Sequence, residues 1–168
     1  MLIDYYIKNQ FLILIKIIIY NYKMKIGIFG VTGVVGEEML KCLEKASINN
    51  IELNLFASEK SVGTHVKYNN KKYMIQEFNP NIFNNLDYAL FAINNNLSIE
   101  YSKYAEKSNC IIIDNSSAFR MYSEIPLVIP EINFDSIYKK KSNIIANPNC
   151  VAIILNLVIS NINKYIGI

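Results

Sequence analysis

Short apolar runs alternate along the chain with longer amphipathic segments. Each run holds four to six residues rich in Ile, Leu and Phe, which is the length of a buried strand. The runs occupy residues 25–29, 51–56, 88–93, 110–113 and 143–146. Segments 37–46 and 98–107 predict helices between them. Apolar strands joined by helices are typical of a parallel sheet covered on both faces, so the pattern predicts an α/β fold with a doubly wound, mostly parallel sheet.

Two further stretches depart from this alternation. Residues 62–76 are polar and contain Gly63 and the pair Asn69-Asn70, which predicts a hairpin in which 66–68 pairs with 73–75. Residues 126–133 are bounded by prolines and predict a short strand and a turn. Neither stretch changes the predicted fold class.

Spaced glycines separate the first strand from the first helix. Gly30, Gly33 and Gly36 form a G-x-x-G-x-x-G pattern rather than G-x-G-x-x-G. Glycines at such a junction let the backbone turn tightly and approach a pyrophosphate, which then lies on the helix N-terminus. The junction therefore predicts a Rossmann-like dinucleotide-binding domain, and the alternative is a packing turn without a ligand.

The end of the second strand indicates which dinucleotide is bound. The ribose of the adenine half lies there in such folds, and an acidic residue at this place favours NAD. Ser58, Lys60 and Ser61 offer a cation and hydroxyls for a 2′-phosphate, whereas Glu59 favours NAD if its side chain faces the ribose. We expect NADP as the cofactor.

Polar residues follow the apolar run at 110–113. Ligands bind at the carboxyl edge of open α/β sheets, and Asn115 and Arg120 are predicted to lie there. The planar guanidinium of Arg120 suits a phosphate or a carboxylate, and Asn115, Ser116 and Ser117 are neutral donors. The alternative is that Arg120 is an ordinary surface residue.

Cys150 begins the last predicted helix, whose apolar part runs over 151–162. Asn149 is a favoured N-cap residue, and Pro148 keeps the residue before it out of the helical conformation. The partial positive charge at a helix N-terminus stabilises a thiolate, the nucleophilic form of cysteine. We therefore predict that Cys150 attacks a carbonyl carbon, although a lone cysteine is more often an inert buried thiol.

Composition narrows the function. Three cysteines at unrelated spacings predict neither disulfides nor a metal site and fit a reducing, cytoplasmic setting. The net charge is +3 and no basic stripe is present, so nucleic acid is not an expected partner. The single histidine, His65, falls in the polar stretch at 62–76, where its spacing gives no reason to expect that it reaches Cys150.

Residues 1–23 are expected to lie outside the fold. Their apolar run, at 11–20, contains Lys16, is shorter than the ~20 residues that span a bilayer and lacks a signal-peptide cleavage site. A membrane partner is therefore not expected. Met24 is expected to be the natural start, with residues 1–23 as upstream sequence.

Taken in order, these motifs resemble the N-terminal part of aspartate-semialdehyde dehydrogenase, from Met24 to about Ile159. The matching segments are Gly30-Val31-Thr32-Gly33-Val34-Val35-Gly36, Ser58-Glu59-Lys60-Ser61-Val62-Gly63, Asp114-Asn115-Ser116-Ser117-Ala118-Phe119-Arg120, Pro130-Glu131-Ile132-Asn133 and Asn147-Pro148-Asn149-Cys150. Other dehydrogenases share single motifs, whereas the ordered set is specific to this family.

The resemblance implies a reaction and residue roles. The family uses NADPH to reduce L-aspartyl 4-phosphate to L-aspartate 4-semialdehyde, through a cysteine thioester, in lysine, threonine and methionine biosynthesis. By that resemblance Cys150 carries the acyl group, and Arg120 with Asn115 binds the phosphoryl group. The implied NADP-binding residues are Gly30, Thr32, Gly33, Val34, Val35, Gly36, Ser58, Lys60 and Ser61. Lys60 replaces the family's usual arginine, so weaker selectivity for NADP is expected.

The resemblance also implies a domain division and two departures. Residues 24–148 correspond to the dinucleotide-binding domain, and residues 149–168 to the first helix of a truncated substrate and dimerisation domain. The family's acid/base histidine, substrate-carboxylate arginine and a glutamine near the cysteine would follow Ile168, as would most of the homodimer surface. We therefore expect this chain alone to be incomplete or inactive. Val-Ala-Ile-Ile at 151–154 replaces the family's Ser-Thr-Ile-Gln, which removes polar groups near the thiol.

Two other functions remain open at this level. A related acyl-phosphate reductase, such as N-acetyl-glutamyl-phosphate reductase, shares the fold and the thioester chemistry, although Asn149 rather than a glycine before the cysteine favours the aspartyl enzyme. A non-catalytic NADP-binding remnant would keep the cofactor site and have an unreactive Cys150.

Overall fold

The computed structural model describes residues 23–46, 48, 50–139 and 141–167. The predicted extension, residues 1–23, lies outside the described residues except for Lys23. The strands are β1 (Met24–Phe29), β2 (Ile51–Phe56), β3 (His65–Tyr68), β4 (Lys71–Gln76), β5 (Tyr88–Phe91), β6 (Ile111–Asp114) and β7 (Ile144–Ala146). The helices are α1 (Val34–Lys45), α2 (Asn95–Ala105), α3 (Pro130–Asn133) and α4 (Cys150–Ile166), with 3₁₀ turns at Glu59–Ser61, Pro80–Asn85 and Phe134–Lys139.

The seven strands form one sheet in the order β3-β4-β2-β1-β5-β6-β7. Every neighbouring pair is parallel except β3 and β4, which form an antiparallel hairpin. The predicted doubly wound, mostly parallel sheet is therefore confirmed. The chain progresses to one side of β1 through β2 and to the other side through β5, so the strand order reverses beside β1. Open sheets of this kind bind ligands at the carboxyl ends of the strands at such a reversal.

Apolar side chains fill both faces of the sheet because strand residues alternate between them. On one face Ile26 and Ile28 of β1 pack with Leu40 and Leu43 of α1. On the other face Phe29 belongs to an aromatic and aliphatic cluster that includes Phe83, Phe91, Ala105 of α2 and Ile112. Each face thus has its own helix and its own core within the described residues.

Of the short strand and the turn predicted over 126–133, only the turn is present. Leu127 makes a single bridge to Ala146, and the chain then forms one helical turn, α3. Pro130 suits the first position of a helix, where an N–H is not needed. The side chain of Asn133 accepts the N–H of Ile129 at 2.7 Å and donates to the carbonyl of Leu127 at 2.9 Å, which closes the turn.

The predicted hairpin is present with a different register. Val66 pairs with Tyr73 and Tyr68 pairs with Lys71, two positions away from the predicted pairing. The two residues between the strands, Asn69 and Asn70, have φ angles of 47° and 61°. A two-residue turn with both φ angles positive fixes the pairing at the nearest residues, and asparagine tolerates this conformation better than most side chains.

Candidate active site

Two of the three spaced glycines are required by the chain's own packing. Gly30 has a φ of +86°, and a Cβ atom there would overlap the carbonyl oxygen of Ala92. A Cβ atom on Gly36 would overlap the carbonyl oxygen of Gly30 and lie 2.7 Å from the Cα of Val31. These glycines therefore allow the tight turn after β1 and the close approach of α1 to it.

Gly33 is not required in the same way. A Cβ atom there would meet only the Gly30 carbonyl oxygen, at 3.4 Å, an ordinary contact. Gly33 is the N-cap of α1, so no side chain caps this helix, whereas Asn94 caps α2 and Asn149 caps α4. The first N–H groups of a helix have no acceptor within the helix. The open surface at Gly33 and the uncapped amides after it have the form of a phosphate-binding site.

The predicted NADP-selecting residues lie beside this turn. The N–H groups of Gly30 and Val31 donate to the carbonyl of Phe56 at 2.8 and 3.1 Å, which joins the glycine turn to the end of β2. The 3₁₀ turn Glu59–Ser61 follows, with Lys60 exposed. Within the described residues, the Lys60 side chain has no ion-pair partner. At the start of α1, Thr32 and Val34 are also exposed, Val34 by 83%.

Arg120 joins the loops that follow β6 and β7. Its Nε donates to the carbonyl of Asn147 and its Nη2 to the carbonyl of Asn115, both at 3.0 Å. The side-chain amide of Asn147 donates to Oδ1 of Asn115 at 2.6 Å, so these three residues form one connected group through backbone and side-chain atoms. Five N–H groups belong to a guanidinium and two are used here, which leaves three for an anion. Among the described residues, no carboxylate lies within ion-pair distance of Arg120.

Cys150 is the first residue of α4, as predicted, and its side chain is exposed. The Oδ1 atom of Asn149 accepts the N–H of Val151 at 2.9 Å, which confirms the predicted N-cap. Asn147, which Arg120 contacts, lies three residues before Cys150. The exposed thiol and the guanidinium therefore belong to the same end of the sheet.

The glycine turn and the cysteine lie at the same edge of the sheet. Because β1, β5, β6 and β7 are parallel, the residues that follow them all emerge at one edge. Three strand spacings separate β1 from β7, about 14 Å. His65 starts β3, the strand at the other side of the sheet, six spacings or about 29 Å from β7. The fold therefore separates the chain's only histidine from Cys150.

Sequence reasoning assigned no contacts to Asp114, Asn147 and Asn95, and it treated Ser117 only as a neutral donor. Asn147 and Asp114 bridge the ends of β6 and β7, and Asn95 of α2 bonds to both the N–H and the hydroxyl of Ser117. A run of Asn and Ser at strand ends was visible in the sequence. Which of them contact each other depends on the strand order, which the sequence alone does not give.

The family model for the semialdehyde dehydrogenase NAD-binding domain matches residues 25–140. The chain belongs to this family. The match covers β1, the glycine turn and the loop that carries Arg120, and it ends before β7 and Cys150. The family's description supports a nucleotide cofactor.

Individual relatives confirm the resemblance to the N-terminal part of aspartate-semialdehyde dehydrogenase. The chain is 42% identical over 144 residues to that enzyme from Campylobacter jejuni, and 37% identical over 145 residues to the one from Bacillus subtilis. These alignments cover 84% and 86% of this chain but 42% of each relative. The chain therefore spans less than half the length of the curated relatives it matches.

A solved structure agrees with the sequence relatives. The crystal structure of aspartate semialdehyde dehydrogenase II from Vibrio cholerae, complexed with ASA, superposes with a TM-score of 0.81 at 37% identity. The superposition covers 87% of this chain and 48% of that one. Among the residues described in our structure, no helix has the length and apolar character needed to cross a membrane.

Proposed function

We propose that this chain carries the NADP-binding part and the cysteine nucleophile of an aspartate-semialdehyde dehydrogenase. The observation that carries the proposal is the placement of two features at one sheet edge: the uncapped, glycine-lined N-terminus of α1 and the exposed Cys150 at the N-terminus of α4. The Campylobacter and Vibrio relatives, named as this dehydrogenase, support the choice of reaction.

The residues present fit a dinucleotide phosphate. Gly33 leaves its Cα surface open, and the uncapped amides after it are donors for a pyrophosphate. Lys60, with Ser58 and Ser61, would bind a 2′-phosphate, and Thr32 and Val34 would contact the dinucleotide. Bound NADPH would supply the hydride that reduces an acyl group on Cys150. The lysine lacks the two-pronged geometry of an arginine, so we expect modest selectivity for NADP over NAD.

The thiol of Cys150 would act on an acyl phosphate. Its sulfur attacks the carbonyl carbon as a thiolate, the bond from that carbon to the phosphate oxygen breaks, and inorganic phosphate leaves with the bonding electrons. The acyl group is then a thioester on Cys150. Arg120 would bind the phosphoryl group through the N–H groups that its contacts to Asn115 and Asn147 leave unused.

A second candidate is a non-catalytic NADP-binding protein. The observation that favours it is the distance between His65 and Cys150, which leaves the thiol without a histidine base from this chain. Loss of a positioned base lowers a rate by about 10²–10⁴. Turnover would then require a base from outside residues 1–168, whereas in the non-catalytic protein Cys150 is unreactive and is not acylated.

Acylation of the thiol separates the two candidates. The full chain is incubated with acetyl phosphate, and the modified residue is located by peptide mass spectrometry. We expect acetylation at Cys150, no acetylation of a Cys150→Ser variant, and slower acetylation when Arg120 is replaced by Lys. A wild-type chain that binds NADPH but leaves Cys150 unmodified would favour the non-catalytic protein.

The cofactor assignment has its own test. Binding of NADPH and NADH is measured by isothermal titration calorimetry for the wild-type chain and for Lys60→Ala, with Lys67→Ala as a matched exposed-lysine control on β3. Loss of the contact to the 2′-phosphate is expected to weaken NADPH binding by about tenfold and leave NADH unchanged. If the wild type and the two variants bind NADPH with equal affinity, Lys60 does not contact the 2′-phosphate.

A further inference from the structure

Asp114, the last residue of β6, is fully buried and has no role in the proposed function. Its Oδ1 atom accepts the hydroxyl of Ser98, from α2, and its Oδ2 atom accepts the hydroxyl of Ser116 at 2.7 Å. No lysine or arginine of the described residues forms an ion pair with it. Burying a carboxyl group without a cation is costly. Core packing alone does not explain an aspartate at this position, because an apolar side chain would fill the same space at a lower cost in free energy.

The side chain of Asp114 orders the loop that leads to Arg120. Because the hydroxyl proton of Ser116 is directed to Asp114, the oxygen of Ser116 is oriented to accept the N–H of Ala118, at 3.0 Å. A hydroxyl that accepts a backbone N–H two residues ahead closes a tight local turn. That turn determines where the chain arrives at Arg120, two residues beyond Ala118.

The backbone of Asp114 reaches Arg120 by a second route. Its carbonyl accepts the N–H of Asn147 at 2.8 Å, which fixes the loop after β7. The carbonyl of Asn147 in turn accepts Nε of Arg120. The same guanidinium bonds to the carbonyl of Asn115, the residue that follows Asp114. Asp114 therefore precedes one of the two loops that contact the guanidinium and forms a hydrogen bond with the first residue of the other.

We propose that Asp114 is a positioning residue, which orders the loop at 115–120 through Ser116 so that Arg120 presents its unused N–H groups to an anion beside Cys150. This inference rests on the proposed function, in which that anion is a phosphoryl group. Asp114 itself contacts neither substrate nor cofactor in this assignment. It acts on Arg120 through the hydroxyl of Ser116 and the orientation of the turn at 116–118.

The two serines provide a matched test. Ser98→Ala and Ser116→Ala each remove one hydrogen bond from the same carboxyl group. Ser116 itself belongs to the loop of Arg120, whereas Ser98 belongs to α2, which contacts that loop through the separate bonds of Asn95 to Ser117. A carboxyl group that serves only the stability of the fold predicts equal effects of the two changes. A positioning role predicts that Ser116→Ala alone alters Arg120.

Two readouts are measured on the full chain by nitrogen-15 NMR. The first is the hydrogen-exchange protection of the Arg120 Nε–H without ligand, and the second is the dissociation constant of inorganic phosphate from the shift of that signal. We expect Ser116→Ala to lower the protection and weaken phosphate binding by about tenfold, and Ser98→Ala to change both by less than about twofold. Asp114→Asn keeps the shape of the side chain but offers one acceptor oxygen instead of two. Its effects on the exchange protection and on phosphate binding are therefore expected to lie between those of Ser98→Ala and Ser116→Ala.

The outcomes distinguish the inference from the proposed function. Ser116→Thr keeps the hydroxyl and is expected to restore both readouts, which also decides the matter if Ser116→Ala does not fold. Equal effects of the two alanine variants, or no effect of either, would overturn the positioning role. A wild-type chain that protects the Arg120 Nε–H but binds no phosphate would instead refute the phosphoryl site, and the exchange readout would still decide the role of Asp114.

Discussion

Helices α1 and α4 both begin at the carboxyl edge of the sheet, yet their surroundings differ. Helix α1 buries Met39, Leu40 and Leu43 against the strands, and its N-terminus is uncapped. Helix α4 has a side-chain cap at its N-terminus, and of its many large apolar residues only Ile153 and Leu157 are buried. Helix α1 is therefore packed against the sheet but has no side-chain cap at its N-terminus, whereas α4 is capped at its N-terminus but buries few of its apolar residues.

One exposed side of α4 is apolar along the helix, although Asn156, Asn161, Asn163 and Lys164 are exposed as well. The exposed large apolar residues recur at spacings of three and four, which places them on one side of the helix. They are Val151, Leu155, Val158, Ile159, Ile162, Tyr165 and Ile166. Contiguous apolar surface of this extent marks an interaction surface or a risk of aggregation. The helix that follows the glycine turn thus finds its packing partners within the described residues, whereas the helix that begins with Cys150 keeps one apolar side exposed.

Replacement of Gly36 or Gly33 by alanine is expected to change the stability of the fold by very different amounts. Gly36→Ala is expected to destabilise the fold by about 3 kcal/mol or more, because the new Cβ would overlap backbone atoms. Gly33→Ala meets only one atom at 3.4 Å, so we expect a change in stability below about 1 kcal/mol together with loss of NADPH binding. Urea unfolding and calorimetry measure the two properties. Equal stabilities of the two variants would contradict the distinct roles given to these glycines.

Replacement of leucines in α1 and α4 by alanine is expected to lower the free energy of unfolding in proportion to how deeply each leucine is buried. Leu43 of α1 is fully buried, Leu157 of α4 is 8% exposed and Leu155 is 55% exposed. Replacement by alanine is expected to cost about 3 kcal/mol at Leu43, about 2 kcal/mol at Leu157 and less than about 0.5 kcal/mol at Leu155. Urea unfolding of the three variants provides the comparison. A cost at Leu155 as large as that at Leu157 would mean that the open face of α4 is packed in solution.

A smaller effect concerns pH and the buried thiol of Cys110. Burial, with a contribution from the Asp87 carboxyl, raises the pKa of Cys110 to about 12. The unfolded thiol ionises near pH 8.5 to 9, so above that range the unfolded chain holds fewer protons than the folded one. Stability should therefore fall between about pH 9 and pH 12, by at most about 1.4 kcal/mol per pH unit from this group.

A variant without the thiol isolates this contribution. Burial also raises the pKa values of Tyr68, Tyr88 and Tyr101, which act in the same direction at higher pH. Cys110→Ala keeps these tyrosines, so its stability should decline less steeply from pH 9 to pH 11 than that of the wild type. Urea unfolding at each pH gives both curves, and parallel curves would show that Cys110 ionises freely in the fold.

Much of the fold follows from the sequence for a physical reason. Buried parallel strands are short apolar runs, so their positions are visible without knowledge of the neighbours. The glycine turn is visible because only glycine allows the φ of Gly30 and the contact at Gly36. The start of α4 is visible because Asn149 is a local signal: its Oδ1 atom accepts the N–H of Val151, which lies only two residues away.

Long-range polar contacts could not be predicted in the same way. The partners of Arg120 are backbone carbonyls of two different loops, and every residue has such a carbonyl. Only the adjacency of β6 and β7 selects the carbonyls of Asn115 and Asn147. The hairpin register likewise depends on the backbone conformation of two asparagines, and the turn at α3 depends on contacts of the Asn133 side chain. The roles assigned to the site residues and the domain boundary at 148/149 remain predictions.

A dinucleotide held by the glycine turn is expected to reach the thiol of Cys150 at the start of α4. Protection of Cys150 tests it directly, because Cys42 and Cys110 are buried and the rate of alkylation by iodoacetamide reports Cys150. At ten times its dissociation constant, NADP is expected to slow alkylation by about tenfold, since the free fraction falls by that factor. The fragment 2′,5′-ADP, which lacks the nicotinamide, should bind without protecting the thiol. An alkylation rate that saturating NADP leaves unchanged would contradict the account.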